Sequence, residues 1–286
     1  MVKQDYALDV SRFIEVLKQE RDARNNDGLY HYIQIKFAYN SNKMEGSTLS
    51  EEQTRHIFDI GKLIVEKDDI VKTNDIIETI NHFRVFDYII DTYNDDIDDK
   101  YIKELHRILK NGIIIKDIER EIIGDFKKKV NFVGDVKTTK PSEVAKALNE
   151  VLFEYITNLE QSLDLDDKLK NIIDLHYNFE KIHPFYDGNG RVGRALLFKE
   201  SLKNGIVPFV IFDEDKAYYL RGLKEYKNTK GYLLDTCLKA QDDLIDIIKE
   251  FDDLKDVLLD CKTLQSNTQQ QKFRINPRTG RREIIE

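Results

Sequence analysis

Apolar residues three and four apart recur along almost all of this 286-residue chain, a spacing that suits helices packed on helices and little else. Between residues 75 and 93, Ile76, Ile77, Ile80, Phe83, Phe86, Ile89 and Ile90 make one such stripe. Residues 99–111 repeat it with Ile102, Leu105, Ile108 and Leu109, then stop at Gly112. Leu8, Phe13, Ile14 and Leu17 predict a helix within 5–21, and Leu29 to Tyr39 a second. Ser50 with Glu51 and Glu52 opens a third, to about Val65, because a hydroxyl caps free amides and early acids suit the helix dipole. Further helices are expected over 141–159, begun by Pro141 with Ser142 as cap, and over 168–182, 191–204, 214–228 and 230–240. Pro184 and Gly205 act as stops. With only 4 Pro and 13 Gly, a many-turned β architecture is excluded, and the fold class is mainly α.

One stretch breaks the pattern. Residues 122–136 mix β-branched and aromatic residues between Gly124 and Gly134, which predicts a β-hairpin, the only sheet expected. At the other end, Leu244, Ile247, Phe251, Leu254, Leu258 and Cys261 alternate three and four apart on an acidic stretch, so 241–265 reads as one amphipathic helix. Packing on its own domain is the favoured reading of that seam, and a homodimer is the other. The tail, 266–286, carries Lys272, Arg274, Arg278, Arg281 and Arg282 around Pro277 and Gly280. It is expected to be solvated and disordered, with nucleic-acid contact the lesser alternative.

Charge and cysteine usage narrow the function classes. With 53 Asp and Glu against 45 Lys and Arg, the net charge is −8, which argues against non-specific nucleic-acid binding by the whole chain. Cys237 and Cys261 cannot build a disulfide framework and lack zinc spacing. No run approaches the roughly 18–20 apolar residues of a membrane span, and the N-terminus lacks a basic-then-apolar signal. The expectation is a cytoplasmic protein with no membrane contact.

Chemistry is concentrated at His183-Pro184-Phe185-Tyr186-Asp187-Gly188-Asn189-Gly190-Arg191-Val192-Gly193-Arg194. A helix ends at Pro184 and another starts near Gly190. Gly188, Asn189 and Gly190 can aim consecutive amides into one concavity at a helix N-terminus, where an anion is favoured. Arg191 and Arg194, three apart, project from the same side of the first turn. Guanidinium groups beside such a nest suit a polyphosphate. Asp187 in that loop would repel the ligand without a cation between them, which implies Mg²⁺, with Mn²⁺ equally suited. His183 at the other lip can act as a general base, and Phe185 points inward as an anchor. The loop holds no Ser or Cys nucleophile, and no Gly-Lys-Ser/Thr follows the glycines, so it is not a P-loop.

These residues fill every specified position of His-x-Phe-x-Asp/Glu-Gly-Asn-Gly-Arg-x-x-Arg, the signature of the Fic (filamentation induced by cAMP) family, which the chain resembles over roughly 25–240. The resemblance implies a Fic-type helical domain with a helical C-terminal extension, preceded by a helical segment at 1–24. It implies transfer of AMP from ATP to a Ser, Thr or Tyr hydroxyl of a target protein, self-modification included. His183 would take the hydroxyl proton and Asp187 would hold the Mg²⁺. Gly188, Asn189 and Gly190 would orient the phosphates, and Arg191 and Arg194 would hold the outer ones. The hairpin resembles the family's flap, with Val130, Asn131, Phe132, Val133 and Gly134 docking the target. Tyr218 and Tyr219 match aromatics that line the adenine pocket in relatives, while Tyr226 stands where several relatives place an Asn.

Ser41-Asn42-Lys43-Met44-Glu45-Gly46 matches a motif that some family members carry N-terminal to the core, Ser/Thr-x-x-x-Glu-Gly/Asn. By resemblance, Glu45 pairs with Arg194 and blocks the γ-phosphate position, a brake in cis. Two other readings stand beside adenylyl transfer. One is removal of AMP, or transfer of another nucleotide, by the same site. The other is a nucleotide-binding regulatory module, against which the retained His183 speaks, since binding alone needs no base.

Overall fold

The computed structural model describes residues 4–65, 70–113, 122–134, 136–263, 272–275 and 282–285. A short strand β1 (Tyr6–Leu8) leads into α1 (Val10–Ala23), α2 (Leu29–Met44), α3 (Glu51–Ile60), α4 (Thr73–Thr92) and α5 (Asp99–Leu109). A hairpin of β2 (Phe132–Val133) and β3 (Val136–Lys137) follows. Then come α6 (Pro141–Gln161), α7 (Leu165–Ile182), α8 (Asn189–Lys203), α9 (Lys216–Glu225) and α10 (Gly231–Glu250).

The helix boundaries have local causes. Asp9, Asp98 and Asp164 each accept an amide of the first turn of α1, α5 and α7. Ser50 and Gln53 close a reciprocal capping box on α3. That helix ends at Gly61, whose φ of 64° turns the chain, rather than running on to Val65. On α6, Pro141 takes the first helical position and Lys140 is the cap residue, so Ser142 lies inside the helix instead of capping it.

α8 is the centre of the domain. It packs against α2, α4, α5 and α7, and nearly every side chain along it is buried. Phe198 stacks on Phe37 at 5.2 Å between centroids and meets Phe86 edge-on at 5.4 Å. A smaller cluster of Ala38, Leu49, Ile57 and Phe83 lies against α3. Inside α8, Lys199 donates to Glu200 at 2.6 Å, and Glu200 also accepts from Tyr155 at 2.6 Å, so this buried charge pair is satisfied.

The C-terminal region departs from the sequence reading. No helix spans 241–265. Instead α10 continues through 240 to Glu250, a 3-10 stretch covers Asp252–Val257, and β4 (Leu258–Asp260) pairs antiparallel with β1, Ala7 opposite Leu259. Leu254 and Val257, three apart, reach the main core from the 3-10 turn, which a three-residue repeat favours. The pairing with β1 gives the backbone of 258–260 acceptors and donors that a longer helix would have left unmatched. Leu244, Ile245 and Ile248 belong to the same core as α1 and α7, so this part of the apolar seam is covered by its own chain. Within the tail expected to be disordered, β5 (Lys272–Ile275) pairs antiparallel with β6 (Arg282–Ile285). Polar and apolar residues alternate along Lys272-Phe273-Arg274-Ile275, a period that suits a strand. The hairpin is therefore not the only sheet. The remainder of the tail lies outside the described residues.

Candidate active site

The signature loop runs from the end of α7 to the start of α8. His183 terminates α7 in the left-handed region, φ 52° and ψ 64°, where its amide still reaches Phe179 O at 2.9 Å. Only one other non-glycine residue among those described has positive φ, so this is a held conformation. The following Pro184 disfavours continuation of the helix. Phe185 is fully buried and stacks face to face on the His106 ring, 3.9 Å between centroids and 4° between planes. Asn189 clamps the loop from the other side. Its Oδ1 accepts from Phe185 N at 2.8 Å and its Nδ2 donates to Phe185 O at 2.9 Å. Gly188 caps α8 with φ 81°, a conformation glycine adopts without strain. The first amides of α8 have no carbonyl within the helix to bond, which leaves an anion-binding end.

His106 fixes the loop's carbonyl side. Gly124 N donates to its Nδ1 at 3.0 Å, so the proton sits on Nε2, which donates to Asp187 O at 3.2 Å. Burial holds this imidazole at about 4, so it is neutral at pH 7. The base of the flap is tied to the same loop. Lys127 N donates to Pro184 O at 2.9 Å, and Lys127 Nζ donates to Asn131 Oδ1 at 2.8 Å and Thr138 Oγ1 at 2.6 Å. Asn131 Nδ2 in turn donates to Phe185 O at 2.9 Å. Asn131 thus turns inward to the loop, while Val130, Phe132 and Val133 are exposed at 38%, 61% and 50%.

The two arginines are buried and already paired. Arg194 Nη2 lies 2.7 Å from Glu45 Oε1 and 2.8 Å from Ser41 O, and its Nε donates to Ser41 Oγ at 3.0 Å. Burial alone would raise the Glu45 carboxyl, but the guanidinium of Arg194 overrides it and holds the group below its ordinary value. Glu45 follows the last turn of α2, and Gly46 behind it has φ 87°. A Cβ on Gly190 would collide with the Glu45 carboxylate, so glycine there permits the pair to close. Arg191 Nη1 lies 2.5 Å from Glu78 Oε2 on α4, and its Nη2 is 3.7 Å from Asp187 Oδ1. His183 itself is half-buried. Burial, with the Lys127 ammonium, lowers its pKa from the ordinary histidine value, and its Nδ1 has no hydrogen-bond partner.

Residues 96–199 match the Fic/DOC family. A protein named protein adenylyltransferase Fic from Aedes aegypti is 30% identical over 220 residues, which cover 74% of this chain. The chain carries a Fic/DOC domain. It spans well under half of that relative, 42% of its length. Protein adenylyltransferase fic-1 of Caenorhabditis elegans is 29% identical over 189 residues, 65% of this chain and 35% of the relative. The fold agrees with a Fic domain containing signaling protein from Bacteroides thetaiotaomicron, at TM-score 0.62 and 23% identity, covering 82% of this chain and 92% of that one. Fic-1 of C. elegans superposes at TM-score 0.60 and 19% identity, over 84% of this chain and 72% of that one.

Beyond the matched segment, Tyr218 and Tyr219 part company. Consecutive helix residues diverge by about 100°. Tyr219 is buried, its hydroxyl 2.7 Å from His176 Nε2 and its ring 6.0 Å from the Arg194 guanidinium. Tyr218 is 63% exposed and lines a separate cleft with Arg221, Tyr232 and Lys239. Tyr226 is buried, stacks on Tyr177 at 4.4 Å and donates to Asp174 at 3.0 Å.

Asp187 meets the donor chemistry of a divalent-cation ligand. Partial desolvation opposes its charge, but Lys110 and Arg191 overcome that and hold its pKa at about 2, so it is ionised at any ordinary pH. Its side chain is 60% exposed. Among the described residues no cluster of three or more His, Cys, Asp or Glu gathers. A magnesium ion here would take one carboxylate from the protein and the rest of its oxygens from phosphates and water, a common arrangement for this ion. The sequence reading passed over His106, Glu78, Lys110 and Lys127. None sits in a motif, and each joins the site only through the packing of α4, α5 and the flap base on α8.

Proposed function

We propose that this Fic protein is a protein adenylyltransferase, restrained in cis by Glu45. The reading rests above all on one arrangement: the unpartnered Nδ1 of His183 lies in the same short loop as the amide end of α8, and Arg191 and Arg194 follow within its first two turns. The anion site takes the phosphates of ATP, and a hydroxyl of the target protein approaches between them and His183. The hydroxyl oxygen bonds to the α-phosphorus, the bond from that phosphorus to the α–β bridging oxygen breaks, and pyrophosphate leaves. His183 accepts the hydroxyl proton, which a neutral imidazole can do at pH 7. Positioning and charge neutralisation supply most of the rate, so no covalent enzyme intermediate is needed. Asp187 would hold a Mg²⁺ that neutralises developing charge on the phosphates.

Glu45 opposes this. A carboxylate that holds Arg194 competes with any phosphate needing the same guanidinium. The exposed edge around Phe132, Val133 and Val136 offers backbone pairing to an extended target segment, which tolerates varied target sequences. No described helix is long and apolar enough to cross a membrane. The two cysteines are unpaired, which suits a reducing cytoplasm.

The test uses ATP labelled in turn at the α- and γ-phosphate, with wild type, Glu45→Gly and His183→Ala, and a lysate as the source of targets. The reading expects protein label from the α position alone, increased in Glu45→Gly and absent in His183→Ala. Label from the γ position would make the protein a kinase and overturn the reading. No label from either position, despite ATP binding, would favour AMP removal or a binding module.

A further inference from the structure

The carboxylate expected to hold the metal is already held by a lysine. Lys110 caps the C-terminus of α5 and is 5% exposed. Its Nζ lies 2.5 Å from Asp187 Oδ2 and 2.7 Å from Glu78 Oε1. Glu78 Oε2 meets Arg191 at 2.5 Å, and Arg191 approaches Asp187 Oδ1 at 3.7 Å. The four side chains form a closed ring of alternating charge: Glu78, Lys110, Asp187, Arg191. The other Asp187 oxygen contact is with Gly188 N, at 2.7 Å to Oδ1. Of the two carboxylates on Lys110, Glu78 is mostly buried at 15% exposure, and Asp187 is the open one at 60%.

We propose that Lys110 is a positioning residue that sets how tightly the site takes a divalent cation, by competing with it for Asp187. This rests on the reading of Asp187 as the cation's carboxylate. A buried ammonium must stay paired, and Glu78 allows that. When Asp187 turns to a divalent cation, Lys110 keeps Glu78, so the exchange strands no charge. The arriving cation nevertheless feels a positive charge beside the oxygen it takes, and the site has little affinity for the metal alone. Affinity then has to come from the phosphates, so the cation enters with the nucleotide. Arg191 is drawn into the same exchange, because Glu78 shares its charge between Arg191 and Lys110. A lysine that merely tied α5 to the loop would leave cation affinity unchanged when neutralised.

The test is a titration of the full chain with Mn²⁺ alone, read by loss of the free-ion electron paramagnetic resonance signal. It is repeated with an ATP analogue bearing a methylene bridge between the α- and β-phosphates. Lys110→Met should bind Mn²⁺ without nucleotide at least about ten-fold more tightly than wild type. Lys110→Arg, which keeps the charge, should stay close to wild type. Glu78→Gln, which leaves Lys110 to Asp187 alone, should bind more weakly. Circular dichroism checks the fold of each. If Lys110→Met does not fold, Glu78→Gln carries the test, and unchanged affinity there overturns the proposal. If Lys110→Met matches wild type while Asp187→Asn loses Mn²⁺, the proposal fails and the Asp187 reading stands. If Asp187→Asn binds like wild type, that underlying reading fails, and the proposal with it.

Discussion

Asn131, in the flap, and Phe185, in the signature loop, are joined by a hydrogen bond of 2.9 Å from Asn131 Nδ2 to Phe185 O. The same asparagine gives its Oδ1 to the ammonium of Lys127. One side chain therefore couples the element expected to grip the target to the loop expected to do the chemistry.

Replacing Asn131 with Ala removes both partners at once. Phe185 O keeps Asn189, but Lys127 loses an acceptor in a mostly buried setting. We expect a loss of about 1–3 kcal/mol in urea unfolding, because an under-bonded buried group costs that much. Transfer should fall in parallel, while nucleotide affinity measured by calorimetry stays within about threefold, since the α8 amides are untouched.

Glu45→Gly should raise α-phosphate labelling by at least about ten-fold, as a partly desolvated Arg–carboxylate contact is removed from the phosphate's path. The thermal midpoint should fall, because Arg194 is buried and keeps only the neutral contacts to Ser41 once its carboxylate partner is gone. Equal labelling by wild type and Glu45→Gly would sink the brake.

Stability should fall steeply in mild acid. Burial holds His82 and His176 at about 3 and His106 at about 4, against an ordinary 6.5. Each is lower in the folded than in the unfolded state, so the unfolded chain binds more protons below 6.5. The stability they contribute is full above that pH and is lost as pH drops toward the folded values. The slope reaches up to about 1.4 kcal/mol per pH unit for each histidine. Urea midpoints measured between pH 7 and 5 should show it, and His82→Gln should flatten the curve.

Gly193→Ala should destabilise the α7–α8 contact by about 1–3 kcal/mol through overpacking. A Cβ there would overlap the Glu180 carboxyl and stand 3.0 Å from His176 Cε1. Thermal unfolding would read it, and an unchanged midpoint would mean that Glu180 can swing away freely.

Most helices were legible from an apolar stripe, and α1, α3, α5 and α7 from a side-chain cap as well. Asp98 and Ser50 mark the starts of α5 and α3 in the letters themselves. The signature loop was legible as a motif, from His183 to Arg194. What the letters hid is what only packing decides. Nothing in the run from Leu244 to Cys261 says that helix gives way after Glu250, because the same three- and four-residue spacing fits both a helix and a 3-10 turn followed by a strand. Nothing near Lys110 or Glu78 announces that α4 and α5 deliver them to Asp187. Tyr218 and Tyr219 look alike in sequence, and only the rotation of α9 sends one to Arg194 and the other outward.

The pairing of Tyr6–Leu8 with Leu258–Asp260 has a consequence for synthesis. On the ribosome, the first strand emerges long before its partner is made. Until Asp260 has cleared the exit tunnel, Leu8 and the near face of α1 have no strand to cover them, and the nascent chain carries an open edge. Closure joins two described core segments that lie far apart in sequence, so it waits until Asp260 is made, and a pause in translation before that residue would prolong the exposure.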